Sequence, residues 1–383
     1  MDSNRAHVIV AGGGTMGTAA GWALARRGHS VIVLEQFGHI NKLASHGGHT
    51  RIFRHAYFEG PAYVPWTVEA DKAWAALQDR TGIDLMVRCG CLDLAEPGEA
   101  GARNAAQSAA MFDLPYEMLN GNEVNERYPA WNLPPDWEAC LDPEAGILLV
   151  NPTLRALTQE LEAAGGRIVD NTRVLGWESG PDGVTVQTSN GTFAGDRLIV
   201  APGAWAGKLL PDLELPLEPI RKPVMWFDVD NRETHGSGMF PAFIAHMAQD
   251  NFYGLPGHGD DTIKIGDHSD HNIVDPDDFD REVHPADMSP RFEAFLSAHL
   301  PGVRHTLNNS AMCMYTMTPD EDFIIDRHPG DDRVAIAAGF SGHGYKFAPV
   351  IGELLADLAT DESANTLQHF RIDRFSKVTS QGD

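Results

Sequence analysis

Apolar residues fall into short blocks whose periods alternate between strand and helix. "HVIVAGGGTMGTAAGWALARRGHSVIVLEQ" (7–36) predicts a strand, a glycine turn, a helix ending near Gly28 and a second strand ending at Glu35. "PTLRALTQELEAAGGRIV" predicts a helix with Leu154, Leu157 and Leu161 on one face, stopped at Gly165-Gly166. A strand, "RIVDNTRVLGWE", follows, then a hairpin turning at Asn190-Gly191 that leads into "LIVAPGAW". "RVAIAAGFSGHGYKFAPVIGELLADLA" repeats the strand, glycine turn and helix, with Pro349 in the first helical turn. "VRCGCLDL" alternates as one strand and puts Cys89 and Cys91 on one face. Nucleotide-domain pieces thus lie at 1–85, 145–215 and 310–383. The stretches 86–144 and 216–309 are richer in aromatics, prolines and histidines and read as a second domain inserted twice. The predicted class is α/β.

Gly12, Gly14 and Gly17 form G-x-G-x-x-G between the first strand and its helix. The first glycine permits the tight turn, the second admits a pyrophosphate to the backbone, and the third lets helix and strand pack closely. The helix N-terminus offers free N–H groups to phosphate. Glu35 follows Gly17 at about the spacing expected of the acid that binds ribose hydroxyls. An acid there disfavours NADP, while the motif alone leaves both FAD and NAD open. Glycine turns at three separated places favour FAD, a long ligand that needs contacts at both ends.

The chain has 383 residues, 43% of them hydrophobic, enough for two domains with substantial cores. Asp and Glu total 54 against 29 Lys and Arg, a formal net charge of -25. Such a surface repels phosphate backbones and anionic lipid, so neither nucleic acid nor membrane is an expected partner. No apolar run is long enough to span a bilayer, and the N-terminal apolar run reads as a strand rather than a signal peptide. Four cysteines do not make a disulfide framework, and a cytoplasmic location is expected. Among the 17 histidines, His46 with His49 and His268 with His271 have zinc-like spacing, but neither pair has a third ligand in view, and no metal is expected.

In order along the chain stand "GGGTMGTAAGWALARRG", "SHGGHTRIFRHAYFEGPAYVP", "GAW", "NFYGLP", "IKIGDH", "AMCMYTMTPDEDFIID" and "AAGFSGHGYKFAP". This set resembles the monomeric sarcosine oxidase and N-methyltryptophan oxidase family of FAD-dependent amine oxidases over nearly the whole chain. The resemblance implies a glutathione-reductase-type FAD-binding Rossmann domain with an inserted substrate domain on a mixed sheet. It implies oxidation of a secondary amine: a hydride equivalent leaves the N-methyl carbon for the flavin, the imine hydrolyses to formaldehyde and a primary amino acid, and dioxygen becomes hydrogen peroxide.

The resemblance also assigns residues. Cys313 stands where the family's thioether to the flavin forms; read from the residue alone, it would be a buried thiol. Arg54 and Lys346 match the carboxylate-binding pair, and a guanidinium fork suits a carboxylate. Lys264 matches the lysine that speeds oxygen reduction, and Arg51 is expected over the other ring face. Tyr253 and His268 line the substrate side. His343 and the glycine turn at Gly342 and Gly344 are placed to stabilise charge on the reduced ring, with an ordinary buried histidine as the alternative for His343. Further expected FAD contacts are Thr15, Met16, Val174 and Gly203.

The chain departs from the family pattern at several points. Gly47 replaces a histidine and His49 an aspartate, Phe252 precedes Tyr253 where a tyrosine pair is common, and Ile244 stands where sarcosine oxidase has a methionine. "DDTIKIGDH" and "LEPIRKPVMWF" look more like the N-methyltryptophan branch. The expected substrate is sarcosine or a bulkier N-methyl amino acid. The alternatives are another secondary amine, such as a cyclic imino acid or a sugar-derived amine; a dehydrogenase that uses an electron carrier; and a non-catalytic flavin-binding sensor or subunit. A monomer is expected, with the amine and dioxygen as its only partners.

Overall fold

A computed structural model describes residues 4–375 of the protein. The first expected domain therefore has ends, 1–3 and 376–383, outside the described residues. Two large sheets organise the rest. In the first, Arg5–Ala11 pairs in parallel with Val31–Leu34 on one side and Gly191–Val200 on the other. Arg167–Val169 extends the sheet beyond Val31–Leu34, and Asp331–Ala338 runs parallel beside Gly191–Val200. Parallel strands are buried on both faces, which explains their unbroken apolar runs. Val8, Val10, Val31 and Val33 enter one core, and Ile9, Ala11, Ile32 and Leu34 enter the other. The helices Thr15–Arg26, Val150–Ala163 and Ala348–Thr360 cover the first of these faces.

The second sheet is mixed and has nine strands. From its center, Asn251–Pro256 and Thr262–Asp267 lead to Glu218–Val229 and then to the long strand Val303–Met317. On the other side Ala242–His246, Cys91–Ala95, Glu138–Asp142 and Glu117–Asn120 follow in order. Val303–Met317 crosses position 310, where the sequence reading placed a boundary, and its end at Met317 is still paired with this sheet.

The period of two gives this sheet two unlike faces. Leu92, Leu94, Leu141, Phe243, Phe252, Ile263, Ile265, Met225 and Phe227 form one, packed on Phe292, Phe295 and Leu296 of helix Pro290–His299. The other face carries a single row across six strands: Asp93, Ile244, Tyr253, Gly266, Val224 and Ala311. Lys264, Lys222 and Cys313 flank that row. One apolar face anchors the sheet, and the other is left to chemistry.

Two strand expectations need correction. "VRCGCLDL" is two strands, Met86–Arg88 and Cys91–Ala95, in different sheets. Gly90, with φ 76°, turns the chain between them. "RIVDNTRVLGWE" is likewise Arg167–Val169 and Val174–Gly180, broken where Asn171 adopts φ 51°. Among the described residues, no helix is long and apolar enough to cross a membrane.

Phe252 is 1% exposed and packs edge-on against Phe292 and tilted against Phe295. Phe252→Ala should lower the unfolding free energy in urea by about 3–5 kcal/mol.

Candidate functional site

A long groove opens along the carboxyl ends of the first sheet's parallel strands, the usual ligand position in such sheets. Gly12, Gly14, Thr15 and Met16 line it at the first turn, and Glu35 lines it at the end of the second strand. Val174 and Gly203 line it in the middle, and Arg51, Gly342 and Gly344 at the far end. Gly17 lies behind the turn: a Cβ there would stand 1.8 Å from the Gly12 carbonyl oxygen. Gly12 has φ 113°, and a Cβ on it would meet the Ala201 carbonyl oxygen at 2.3 Å. No side chain caps the helix that starts at Thr15, so its first N–H groups are left to a ligand.

Glu35 is aimed by two backbone donors, Gly13 N and Phe37 N, each at 2.9 Å. Burial raises its pKa against those bonds. A carboxylate has further lone pairs to offer, which suits ribose hydroxyls. His46 also lines the groove, with Nδ1 3.4 Å from the Thr15 hydroxyl and Nε2 without a partner. Burial, with Arg51 nearby, lowers His46 to about 4, so its imidazole is neutral.

The groove's far end meets the chemical face of the second sheet. Cys313 is 2% exposed, with Sγ 3.0 Å from the Gly47 carbonyl oxygen and 4.0 Å from Arg51 Nη2. Tyr253 packs with Cys313, Val224 and Trp226. Lys264 is buried, and its Nζ lies 2.7 Å from the Thr50 carbonyl oxygen. Burial, then the neighboring Arg51, hold Lys264 well below the usual lysine pKa. Among the described residues no carboxylate forms an ion pair with Lys264 or Arg51. A second cavity, lined by His49, Trp226, His258 and Asp260, reaches Lys264.

A second cationic cluster stands across the site. Arg54 is buried, gives both Glu59 oxygens 2.6 Å bonds, and lies 4.2 Å from the Tyr57 ring center. Lys346 Nζ donates to the His343 carbonyl at 2.7 Å and to the Tyr57 hydroxyl at 3.2 Å. Burial and Arg54 lower Lys346 to about 7. Burial raises Glu59, but the Arg54 and Lys346 cations beside it outweigh burial and bring it to about 2. His343 bonds the Tyr57 hydroxyl at 2.7 Å and the Glu321 carbonyl at 3.1 Å. Burial lowers His343 to about 3, so it is a neutral, doubly bonded histidine and the cations nearby are Lys346 and Arg54. The His268 ring lies tilted 5.4 Å from that of Tyr315 and is lowered to about 4 by burial and by Lys222.

The histidine pairs with zinc-like spacing diverge. His46 turns to Thr15 and His49 to Trp226, while His268 turns to Tyr315 and His271 to Glu218. The described residues hold no cluster of three or more candidate metal ligands.

Sequence reasoning missed Tyr57, Glu59, Tyr315 and Lys222. Glu59 follows Arg54 by five residues, within reach of a guanidinium. Tyr315 is two residues beyond Cys313 on one strand, hence on the same face. Lys222 is two residues before Val224 and four before Trp226 on one strand, hence on their face.

Comparison with known proteins gives this geometry its family. The family described as DAO, FAD dependent oxidoreductase, matches residues 7–358. The chain is 38% identical to monomeric sarcosine oxidase of Bacillus sp. (strain B-0618) over 373 residues, covering 96% of this chain and 95% of that protein. It is 36% identical to N-methyl-L-tryptophan oxidase of Yersinia pestis (strain Pestoides F) over 375 residues, covering 96% and 99%. Its fold matches the open form of NikD, an unusual amino acid oxidase essential for nikkomycin biosynthesis, with TM-score 0.85 and 25% identity over 96% and 98% of the two chains. With its glycine turn, its aimed Glu35 and its mixed second sheet, the chain belongs to the DAO family of FAD-dependent oxidoreductases, alongside monomeric sarcosine oxidase and N-methyl-L-tryptophan oxidase.

Proposed function

We propose that the protein is an oxidase that demethylates N-methyl amino acids. The observation that carries this reading is a pair of cationic clusters, buried Arg54 with buried Lys346 and half-buried Arg51 with buried Lys264, Arg51 itself lining the end of a dinucleotide groove. The groove fits FAD by the chemistry of its donors: free helix N–H groups and glycine backbone for the pyrophosphate, and Glu35 for ribose. Bound FAD would take a hydride equivalent from the N-methyl carbon and return the electrons to dioxygen, giving formaldehyde, a primary amino acid and hydrogen peroxide.

The chain's own residues do the positioning. Lys346 and Arg54 hold the substrate carboxylate, which competes with Glu59 for the Arg54 fork. Tyr253, His268 and Ile244 shape the other wall of the pocket. Neutral His268 and the surrounding cations favour the neutral, oxidisable amine. Lys264 places a fixed charge where oxygen is reduced, with the second cavity as its link to solvent. Cys313 is placed to bond the flavin covalently, and Arg51 lies beside its sulfur. We place the enzyme in the cytoplasm as a monomer, and its four free cysteines suit a reducing compartment.

Holoenzyme given sarcosine, N-methyltryptophan, proline and fructosyl amines should release equal amounts of peroxide and formaldehyde with at least one N-methyl amino acid. Bound flavin with no formaldehyde from any of them would overturn the reading.

Acid precipitation should leave flavin color in the wild-type pellet and move it to the supernatant for Cys313→Ser. Color in the wild-type supernatant would rule out the covalent bond while leaving FAD binding intact.

Lys346 is charged below about pH 7 and neutral above it. Inhibition by butanoate, which has sarcosine's shape with a methylene for nitrogen, should therefore weaken as pH rises through that value. Lys346→Met should raise the inhibition constant by about 10–100-fold and flatten the pH dependence.

A further inference from the structure

One buried cation takes no part in the chemistry described above. Lys222 sits on Glu218–Val229 directly across from Cys313 and is 0% exposed. Its ammonium faces the turn at 267–270, which follows the strand Thr262–Asp267. It lies 2.8 Å from the His268 carbonyl oxygen and 3.4 Å from that of Asp267, and it also bonds the Asp270 carbonyl. An ammonium has three N–H donors, and here three carbonyls meet them. Among the described residues no carboxylate forms an ion pair with Lys222. Its Nζ is also 5.5 Å from the center of the Tyr315 ring, against which His268 lies tilted.

A buried ammonium costs several kcal/mol in desolvation. A methionine of similar length would fill the same space at lower cost. The carbonyls explain part of the lysine's presence, since without it three oxygens of one turn would lose a shared donor. The neighboring imidazole explains the rest. Burial lowers Lys222 to about 8, with Asp267 and Asp270 acting in the opposite direction, so it is charged at neutral pH. His268 feels that charge more than any other: after burial, Lys222 is the largest influence lowering its pKa. The other groups facing His268 are Glu59, which acts in the opposite direction, and Arg54 and His246, which act with Lys222.

We propose that Lys222 is a positioning residue: its buried ammonium clamps the 267–270 turn and so holds the His268 ring beside Tyr315 on the substrate side. The clamp deepens the oxidase reading and rests on it for the identity of the substrate. It does not rest on it for the behavior of His268.

Two variants of the flavin-loaded protein test the clamp, Lys222→Met and Lys222→Gln. Thermal melting and bound flavin content would show that each has folded. The titration of His268, followed through its 13Cε1 signal and assigned with His268→Asn, should move upward by about one pH unit in both, because both lose the charge. The KM for the best N-methyl amino acid should rise about tenfold in Lys222→Met, with kcat changed much less, and rise less in Lys222→Gln, which keeps donors. In the wild-type protein the His268 signal should shift again near pH 8, as Lys222 loses its proton. An unmoved His268 midpoint in folded variants, or a flat wild-type signal through that range, would overturn the proposal. If no amine is oxidised but the titration moves, the clamp stands and the oxidase reading falls.

Discussion

Positive charge held by carbonyls and hydroxyls rather than by carboxylates is the constraint on which the site depends. Arg51, Lys264 and Lys346 converge where the first sheet's groove meets the second sheet, and only Arg54 has a carboxylate, Glu59, in its fork. Each buried cation costs several kcal/mol unless something compensates it. The low lysine pKa values at Lys264 and Lys346 express that cost directly. An arrangement of this kind persists when guests supply the missing negative charge. A substrate carboxylate and an electron-accepting ring are two such guests.

The second sheet makes this affordable. Its apolar face, Phe243, Phe252, Ile265 and Phe227 against helix Pro290–His299, supplies an ordinary hydrophobic core. That core frees the opposite face to carry Asp93, Tyr253, Lys222, Lys264 and Cys313 in fixed register. Residues on one strand face are set by a period of two, so a one-residue slip would exchange Lys264 for an isoleucine and Tyr253 for Phe252 or Gly254. Precision at the site therefore comes from the packing behind it.

Much of this was legible in the sequence, for identifiable reasons. Glycine turns with a following acid are local signals, and Gly12, Gly14 and Glu35 all line the groove as expected. Lys264 stood out because "IKIGDH" matches the family's motif for the lysine that speeds oxygen reduction. Glu59 and Tyr57 escaped notice because their roles arise from contacts with Arg54 and with Lys346, which is 289 residues from Tyr57. The strand break at Gly90 was hidden because alternation continues through the turn from Cys89 to Cys91, whereas the break at Asn171 falls in the polar stretch Asp170 to Arg173, a turn signal that the strand expectation passed over. His343 looked like a cation in sequence, and only the tertiary pairing with Tyr57 and Glu321 explains its neutrality.

The central claim is that the cations await an anionic amine substrate. A crystal structure of the flavin-loaded protein with butanoate tests this most directly. The account predicts the carboxylate between Arg54 and Lys346, with Glu59 displaced from the arginine fork and the alkyl end toward Tyr253. A structure at saturating butanoate that keeps the Arg54–Glu59 pair intact, with the carboxylate elsewhere or absent, would contradict it.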